Sequence, residues 1–156
     1  MKLALAAALL LLTFPAVIGA ASAAVAIAPR PAPAEPVFTW VPSGGFPDGF
    51  PFGQCTWWAA YNRRVTWNGN AGDWLSNAKD QGVATSQEPS VGAIVVYRPG
   101  GLYSLYGHVA IVIAVDPGSY TVSEMNAIGW GQVSTREIAW PDPHVQGFIP
   151  LAGDGG

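Results

Sequence analysis

The order of the predicted secondary-structure elements is the feature that most constrains the fold of this chain. Two helical segments come first, at residues 55–64, which contain no Gly or Pro, and at residues 73–81, which end before Gly82. The later segments have the apolar, β-branched composition of strands, at residues 91–97, 107–115, 119–126, 132–139 and 145–150. Helices followed by consecutive strands predict an α+β domain, in which helices cover one side of an antiparallel sheet.

The N-terminal part of the chain carries an export signal. Lys2 precedes an apolar stretch over residues 3–18, and Ala21-Ser22-Ala23 has the small side chains of a cleavage site, so residues 1–23 are predicted to be a signal peptide. Residues 24–36 are rich in Pro and Ala and are predicted to form an extended tether. Residues 37–152 then form one domain, expected to be secreted, periplasmic or associated with the cell wall. Retention of the first segment as an anchor is the open alternative.

Cys55 is the single cysteine of the chain. An exported protein with one cysteine cannot use it in an internal disulfide. The residue begins the first predicted helix, where unpaired backbone N–H groups and the helix dipole favour a thiolate. A thiolate attacks carbonyl carbons, so Cys55 is the candidate nucleophile; the alternative is a small buried apolar residue.

His108 is the candidate base. The chain has two histidines, and His144 follows Pro141-Asp142-Pro143 in a loop, which holds a side chain less precisely than a strand does. His108 opens a long apolar strand, although a histidine at a strand end is also explained by hydrogen bonds to the backbone. Pleating places it on one face of the strand, together with Ala110, Val112 and Ala114.

The register of the following hairpin predicts the polar partners of His108. A three-residue turn over residues 116–118 sets His108 opposite Asn126 and Ala110 opposite Glu124. Both polar side chains then share the face of His108, where a carboxylate or an amide can fix the tautomer and orientation of the imidazole. A turn of two or four residues would place both side chains on the other face.

Charge and residue counts argue against several function classes. Of seven basic and ten acidic residues, cleavage removes only Lys2, which leaves six basic residues and a formal charge of −4. No basic cluster extends beyond Arg63-Arg64, so no nucleic-acid partner is predicted. One Cys and two separated His give no zinc site. The sequence predicts neither a metal nor a cofactor.

Five sequence blocks together resemble the CHAP domain, the cysteine, histidine-dependent amidohydrolases/peptidases of the papain-like NlpC/P60 superfamily. The blocks are Gly53-Gln54-Cys55-Thr56-Trp57-Trp58, Tyr61-Asn62-Arg63-Arg64, Gly92-Ala93-Ile94, Gly107-His108-Val109-Ala110 and Ser123-Glu124-Met125-Asn126. The resemblance covers about residues 53–138. It implies a papain-like fold, with the cysteine helix packed on the sheet. It also implies a bacterial peptidoglycan hydrolase that cleaves the N-acetylmuramoyl-L-alanine amide bond or a bond within the stem or cross-bridge peptide.

The resemblance also implies a role for each matching position. Cys55 would be the nucleophile, His108 the base and Glu124 the orienting acid. Asn126 would be a supporting polar group, and Gln54 would help to shape the oxyanion site. Some similar phage-derived enzymes carry a calcium loop of several carboxylates before the cysteine, whereas here that stretch offers only Asp48.

Substrate contacts and partners are expected as follows. Trp130, in a Gly-rich loop, is the candidate for lining the substrate groove, whereas core packing explains most of the seven tryptophans. Peptidoglycan is the expected substrate. Because no wall-binding repeat is visible, a targeting protein is an expected partner, and the chain is predicted to be monomeric. The alternatives are a CHAP-type enzyme for a different amide, and a binding or scaffold module without turnover.

Overall fold

The computed structural model describes residues 40–46 and 49–152. Its elements follow in chain order as α1 (Cys55–Asn62), a 3₁₀ turn (Ala71–Asp73), α2 (Trp74–Asp80), β1 (Ile94–Tyr97), β2 (His108–Asp116), β3 (Ser119–Met125), β4 (Val133–Ala139) and β5 (Val145–Ile149). The strands form one sheet in the order β4-β3-β2-β1-β5, and each is antiparallel to its neighbours. The predicted α+β class is confirmed.

The predicted signal peptide, residues 1–23, and the tether, residues 24–36, lie outside the described residues. Residues 37–39, at the start of the predicted domain, lie outside them too, so these three boundaries stay predictions. Neither helix of the described part is long and apolar enough to cross a membrane.

Both helices lie close to their predicted positions, with ends set by local chemistry. Helix α1 ends at Asn62, two residues before the predicted end, where the side chain donates to Trp58 O at 2.8 Å and accepts from Gly44 N at 2.8 Å. Helix α2 begins one residue after the predicted start. Asp73, which precedes the helix, makes no side-chain cap hydrogen bond, because the preceding 3₁₀ turn leads directly into the helix.

The sheet is buried on both faces at its central strands. The face toward the helices is formed in β1 and β2 by Ile94, Val96, Val109 and Ile111, which pack against Ala59, Trp74 and Ala78. The opposite face is formed by Val95, Tyr97, Ala110 and Val112, with Tyr120 and Phe148 from the neighbouring strands. Tyr103 and Trp140, from loops, cover that second face. Burial on both faces explains why these strands are nearly continuous apolar runs.

The turn between β2 and β3 is shorter than predicted. Asp116 pairs with Ser119, so the loop contains two residues, Pro117 and Gly118, and the three-residue prediction was wrong. Gly118 has a φ of 84°. Pro followed by a Gly with positive φ is the residue pair that a tight type II turn requires.

A bulge in β2 cancels the effect of the shorter turn. The register shifts between Val112 and Ala114, which adds one unpaired residue to β2. The two offsets of one residue compensate, so Glu124 reaches the face of His108 as predicted, by a route that the sequence analysis did not foresee. The bulge also means that the predicted face of Ala114 was wrong. Val115, and not Ala114, packs on the face of His108.

Gly107 allows the close backbone approach that positions the start of β2. Its φ is 77°, and a Cβ at this position would lie 2.6 Å from the Gly72 backbone and 2.8 Å from Tyr97 O. The neighbouring Tyr106 carbonyl accepts a hydrogen bond from Gly72 N at 2.8 Å. Glycine at position 107 therefore fixes where His108 enters the sheet.

We expect Gly107→Ala to destabilise the fold far more than Gly118→Ala, which is its matched control. Both glycines have positive φ, which costs alanine about 1–2 kcal/mol, but only Gly107 faces backbone atoms that cannot move aside. Urea denaturation should show a loss of about 1–2 kcal/mol for Gly118→Ala and about 3 kcal/mol or more for Gly107→Ala. Equal losses would contradict the proposed role of this contact.

Candidate active site

Cys55 lies at the helix start that the sequence predicts. It is the first residue of α1, and Gln54 before it is extended, with φ −96° and ψ 155°. Gly53 has a φ of 90°, and a Cβ there would lie 2.6 Å from the indole of Trp130. Glycine therefore lets the chain turn into α1 beneath this ring. The Cys55 side chain is half-buried and its thiol is free.

His108 contacts the thiol and a carboxylate together. It is the first residue of β2, and its imidazole lies close enough to the Cys55 thiol for each group to shift the pKa of the other. Its Nε2 atom lies 2.9 Å from Glu124 Oε2, which leaves Nδ1 as the ring nitrogen available to the thiol. The structure thus brings together the three residues predicted as the catalytic set. Their catalytic roles stay predictions.

Glu124 is almost completely buried, at 1% exposure. Besides the contact with His108, its carboxylate accepts hydrogen bonds from Arg136 Nε at 3.0 Å and Arg136 Nη2 at 3.1 Å. Arg136 Nη2 also donates to Tyr103 Oη at 3.1 Å, and the Tyr103 ring stacks on His108 with an interplanar angle of 8°. A buried carboxylate needs such partners to remain ionised.

The pKa values of these groups shift in directions that support an ion pair. Burial would raise the pKa of the Cys55 thiol, but the hydrogen bond to His108, its charge and two backbone N–H groups outweigh burial and lower it. Burial would lower the pKa of His108, but Cys55 and Glu124 raise it to about 9. Burial likewise opposes ionisation of Glu124, yet His108 and Arg136 hold its pKa below the usual value. The charges of neighbouring groups thus favour the ionised forms of all four side chains, from the Cys55 thiol to the Arg136 guanidinium.

Asn126 contacts Gln54 and not His108. It follows β3 with a φ of 65°, and its Nδ2 donates to Gln54 Oε1 at 3.1 Å. This contact occupies the acceptor end of the Gln54 amide, and its Nε2 donor has no partner within residues 40–46 and 49–152. Gln54 thus holds a free amide donor next to the thiol, at the position where the sequence analysis predicts an oxyanion site.

Two cavities flank the thiol. One, of about 480 Å³, is bounded by His108, Glu124 and Arg136. The other, of about 260 Å³, is bounded by uncharged residues that include Phe50 and Tyr106. Both cavities are lined by Gln54, Cys55, Ser104 and Gly107. A substrate that crosses Cys55 can therefore place one side of its scissile bond in each cavity.

Two residues from the sequence analysis lie beside these cavities and line neither of them. His144 packs its ring edge-on against Tyr103, with 6.4 Å between ring centroids. Trp130 is 63% exposed and lies over Gly53, two residues before Cys55. Substrate contact by Trp130 stays a prediction.

Arg136 and Tyr103 are the members of the site that the sequence analysis missed. Arg136 lies two residues after Ser134, which pairs with Glu124 across β3 and β4. The available signal was one cationic residue in a predicted strand. To place it beside Glu124 required the register between β3 and β4, and the loop of residues 126–132 leaves that register open. Tyr103 lies in a Gly-rich loop, whose path no periodic pattern predicts.

In residues 40–46 and 49–152, no three His, Cys, Asp or Glu side chains cluster as they do around a metal ion. Asp48, the one acidic residue of the stretch before Cys55, lies outside the described residues.

Comparisons with known proteins identify the family of this chain. The sequence model of the CHAP domain matches residues 45–126. The chain is 39% identical to the probable autolysin LDP of Staphylococcus aureus over 101 residues, which are 59% of this chain and 34% of that protein. It is 37% identical over 99 residues to an N-acetylmuramoyl-L-alanine amidase domain-containing protein of the same species, covering 57% of this chain and 16% of that protein. The chain thus spans about a third or less of these two relatives.

A solved structure supports the fold. The crystal structure of Ly7917 with the hydrolyzing product of MDP superposes with a TM-score of 0.51 at 23% identity, covering 62% of this chain and 53% of that chain. At this identity the likeness concerns the fold alone.

We expect the thiol to be alkylated as a low-pKa thiolate. Because Cys55 is the only cysteine, the rate of iodoacetamide labelling reports this group alone. The rate should rise with a midpoint below the ordinary thiol value of about 8.5 and fall as pH drops through that midpoint. In His108→Ala the midpoint should move upward, since burial is then opposed only by the two backbone N–H groups, whereas His144→Ala should leave it unchanged. A wild-type midpoint at or above the ordinary value would contradict the ion pair.

Proposed function

Because the chain belongs to the CHAP domain family, we propose that it is an exported bacterial peptidoglycan hydrolase that cleaves an amide bond through a cysteine nucleophile. The bond is either the N-acetylmuramoyl-L-alanine amide or an amide within the peptide part. The observation that carries the proposal is the contact between the free Cys55 thiol and a His108 imidazole that is itself held by buried Glu124.

The reaction begins with the thiolate–imidazolium pair. The Cys55 thiolate attacks the amide carbonyl carbon and forms a C–S bond, while the carbonyl oxygen takes the negative charge. Glu124 accepts from Nε2 of His108, which keeps the protonated Nδ1 directed at the reacting atoms. The base is therefore already protonated when the substrate arrives, and the first step needs no proton transfer.

Gln54 and the helix start stabilise the oxyanion. Oε1 of Gln54 accepts from Asn126, which fixes the orientation of the amide, and its Nε2 has no acceptor among the residues that the structure describes. The N–H of Cys55 lies at the start of α1, among donors that lack an intrahelical partner. Two such donors, fixed before the reaction, favour the tetrahedral intermediate over the planar substrate. Asn126 is thus a positioning residue that acts through Gln54.

His108 completes the cycle as acid and then as base. Its Nδ1 proton goes to the leaving amine as the C–N bond breaks, which leaves a thioester on Cys55. The neutral imidazole then removes a proton from water, which attacks the thioester. Collapse of this second intermediate releases the carboxylic acid and restores the thiolate–imidazolium pair.

A non-catalytic CHAP-type module is the alternative, and one observation favours the enzyme over it. A binding module has no need of a free thiol with a lowered pKa between two cavities. The proposal also includes cleavage of residues 1–23, a tether over residues 24–36, action at the cell wall as a monomer and delivery by a targeting protein.

We expect Cys55→Ser to abolish hydrolysis while preserving the fold. A serine hydroxyl does not ionise beside His108, so the rate should fall by about a thousandfold or more, with little change in melting temperature. The assay is incubation with purified peptidoglycan, with and without iodoacetamide, followed by mass spectrometry of the released groups. Those groups also identify the bond.

The controls for this experiment are the two histidines. His108→Ala should match the cysteine variant, and His144→Ala should be nearly silent, because its ring packs on Tyr103 outside both cavities. Full activity in Cys55→Ser would refute the proposed nucleophile.

Gln54→Ala and Asn126→Ala should act through one shared contact. Each is expected to lower kcat by about tenfold to a hundredfold, because each removes or releases the same oxyanion donor. The double variant should be little worse than Gln54→Ala alone, which a double-mutant cycle measures. Strictly multiplicative losses would show that Asn126 acts elsewhere.

A further inference from the structure

Arg136 uses only part of its guanidinium to hold Glu124. Nε and Nη2 donate to the carboxylate, and Nη2 also donates to Tyr103. Nη1 has no acceptor among the residues that the structure describes, and the side chain is 40% exposed. Arg136 lines the 480 Å³ cavity, where the other cationic side chain is His108. A charged double donor is therefore open to a ligand in the cavity that contains the nucleophile.

Ser134 adds a second donor on the same wall. It lies two residues before Arg136 on β4, so both side chains point to the same face. Its Oγ atom is buried without a hydrogen-bond partner, and the residue lines the same cavity. Buried hydroxyls are nearly always paired, so an unpaired one beside a cavity can turn to an acceptor that enters the cavity.

We propose that Arg136 and Ser134 form a carboxylate-binding subsite, so that the enzyme prefers amide substrates with a free carboxylate near the scissile bond. A carboxylate matches both donors, since guanidinium–carboxylate hydrogen bonds are among the strongest in proteins. Glu124 does not fill this role, because its hydrogen bonds come from His108 and from Nε and Nη2 of Arg136, and Ser134 Oγ makes none to it. The inference rests on the proposed function and extends it to the substrate class.

The chain of contacts limits how far this carboxylate lies from the scissile amide. The path runs from the thiol through His108 and Glu124 to Nη1 of Arg136, with steps of 2.9 Å and 3.1 Å at the carboxylate. With about 3 Å for each remaining hydrogen bond, including the one from Nη1 to the ligand, the path from thiol to carboxylate is about 17 Å at most, which an extended peptide spans in about five residues. The recognised carboxylate therefore lies within about five residues of the cleaved bond.

The test compares native peptidoglycan with peptidoglycan whose free carboxylates are converted to primary amides by a carbodiimide and ammonium chloride. The native sample is treated identically without the carbodiimide. Wild-type protein should hydrolyse the amidated material about tenfold more slowly, the loss expected for one charge-assisted contact. In Arg136→Gln the two rates should become equal, because the donor is gone. In Arg98→Gln, a matched exposed arginine outside the cavity, the tenfold preference should remain.

Ser134→Ala keeps the test decisive if Arg136→Gln loses all activity through its effect on Glu124. This variant leaves the Arg136–Glu124 contact intact and should reduce the preference for the native material. An unchanged preference in Ser134→Ala together with an inactive Arg136→Gln would overturn the subsite. Equal wild-type rates on both materials would also overturn it while leaving the proposed function intact. Hydrolysis of neither material by the wild type would overturn the proposed function and the subsite with it.

Discussion

The burial of the Glu124 carboxylate is the constraint on which the rest of the site depends. An ionised group at 1% exposure is stable only where its lone pairs have donors, and here His108 and Arg136 supply them. Strands β2, β3 and β4 contribute one of these three residues each, so the contact exists only when three strands are in register. Helix α1 then brings Cys55 to the remaining nitrogen of the imidazole. The Arg136 guanidinium therefore acts on the thiol indirectly, because it stabilises the Glu124 carboxylate, which in turn stabilises the charged His108.

The register of β2 and β3 is the structural condition for this chain of charges. The two-residue turn alone would place Glu124 on the face toward the helices, and the bulge alone would do the same. Together they place Glu124 on the face of His108, where Tyr103 and Arg136 enclose it. A bulge near an active site re-aims side chains without changing the sheet order, and this one does so about four residues from the catalytic end of the strand.

Much of this arrangement could be predicted from the sequence, because the signals involved are local. Apolar periodicity located the five strands, and a lone cysteine before a Gly-free and Pro-free run located the candidate nucleophile. The face of Glu124 was predicted correctly from a turn length that was wrong, since the bulge restored the lost residue. Arg136, Tyr103 and the contact between Asn126 and Gln54 were not predicted. They depend on loop paths at residues 98–107 and 126–132, where glycines remove the periodic signal.

The most direct measurement of the central claim is the charge of His108, followed by NMR of protein labelled with 15N at histidine. The chain has two histidines, so His144→Ala identifies the signals of His108. The account predicts an imidazolium at neutral pH that loses its proton near pH 9. In Cys55→Ala the proton should be lost at lower pH, because the thiolate no longer stabilises the charge. A neutral His108 imidazole at pH 7 in the wild type would contradict the account.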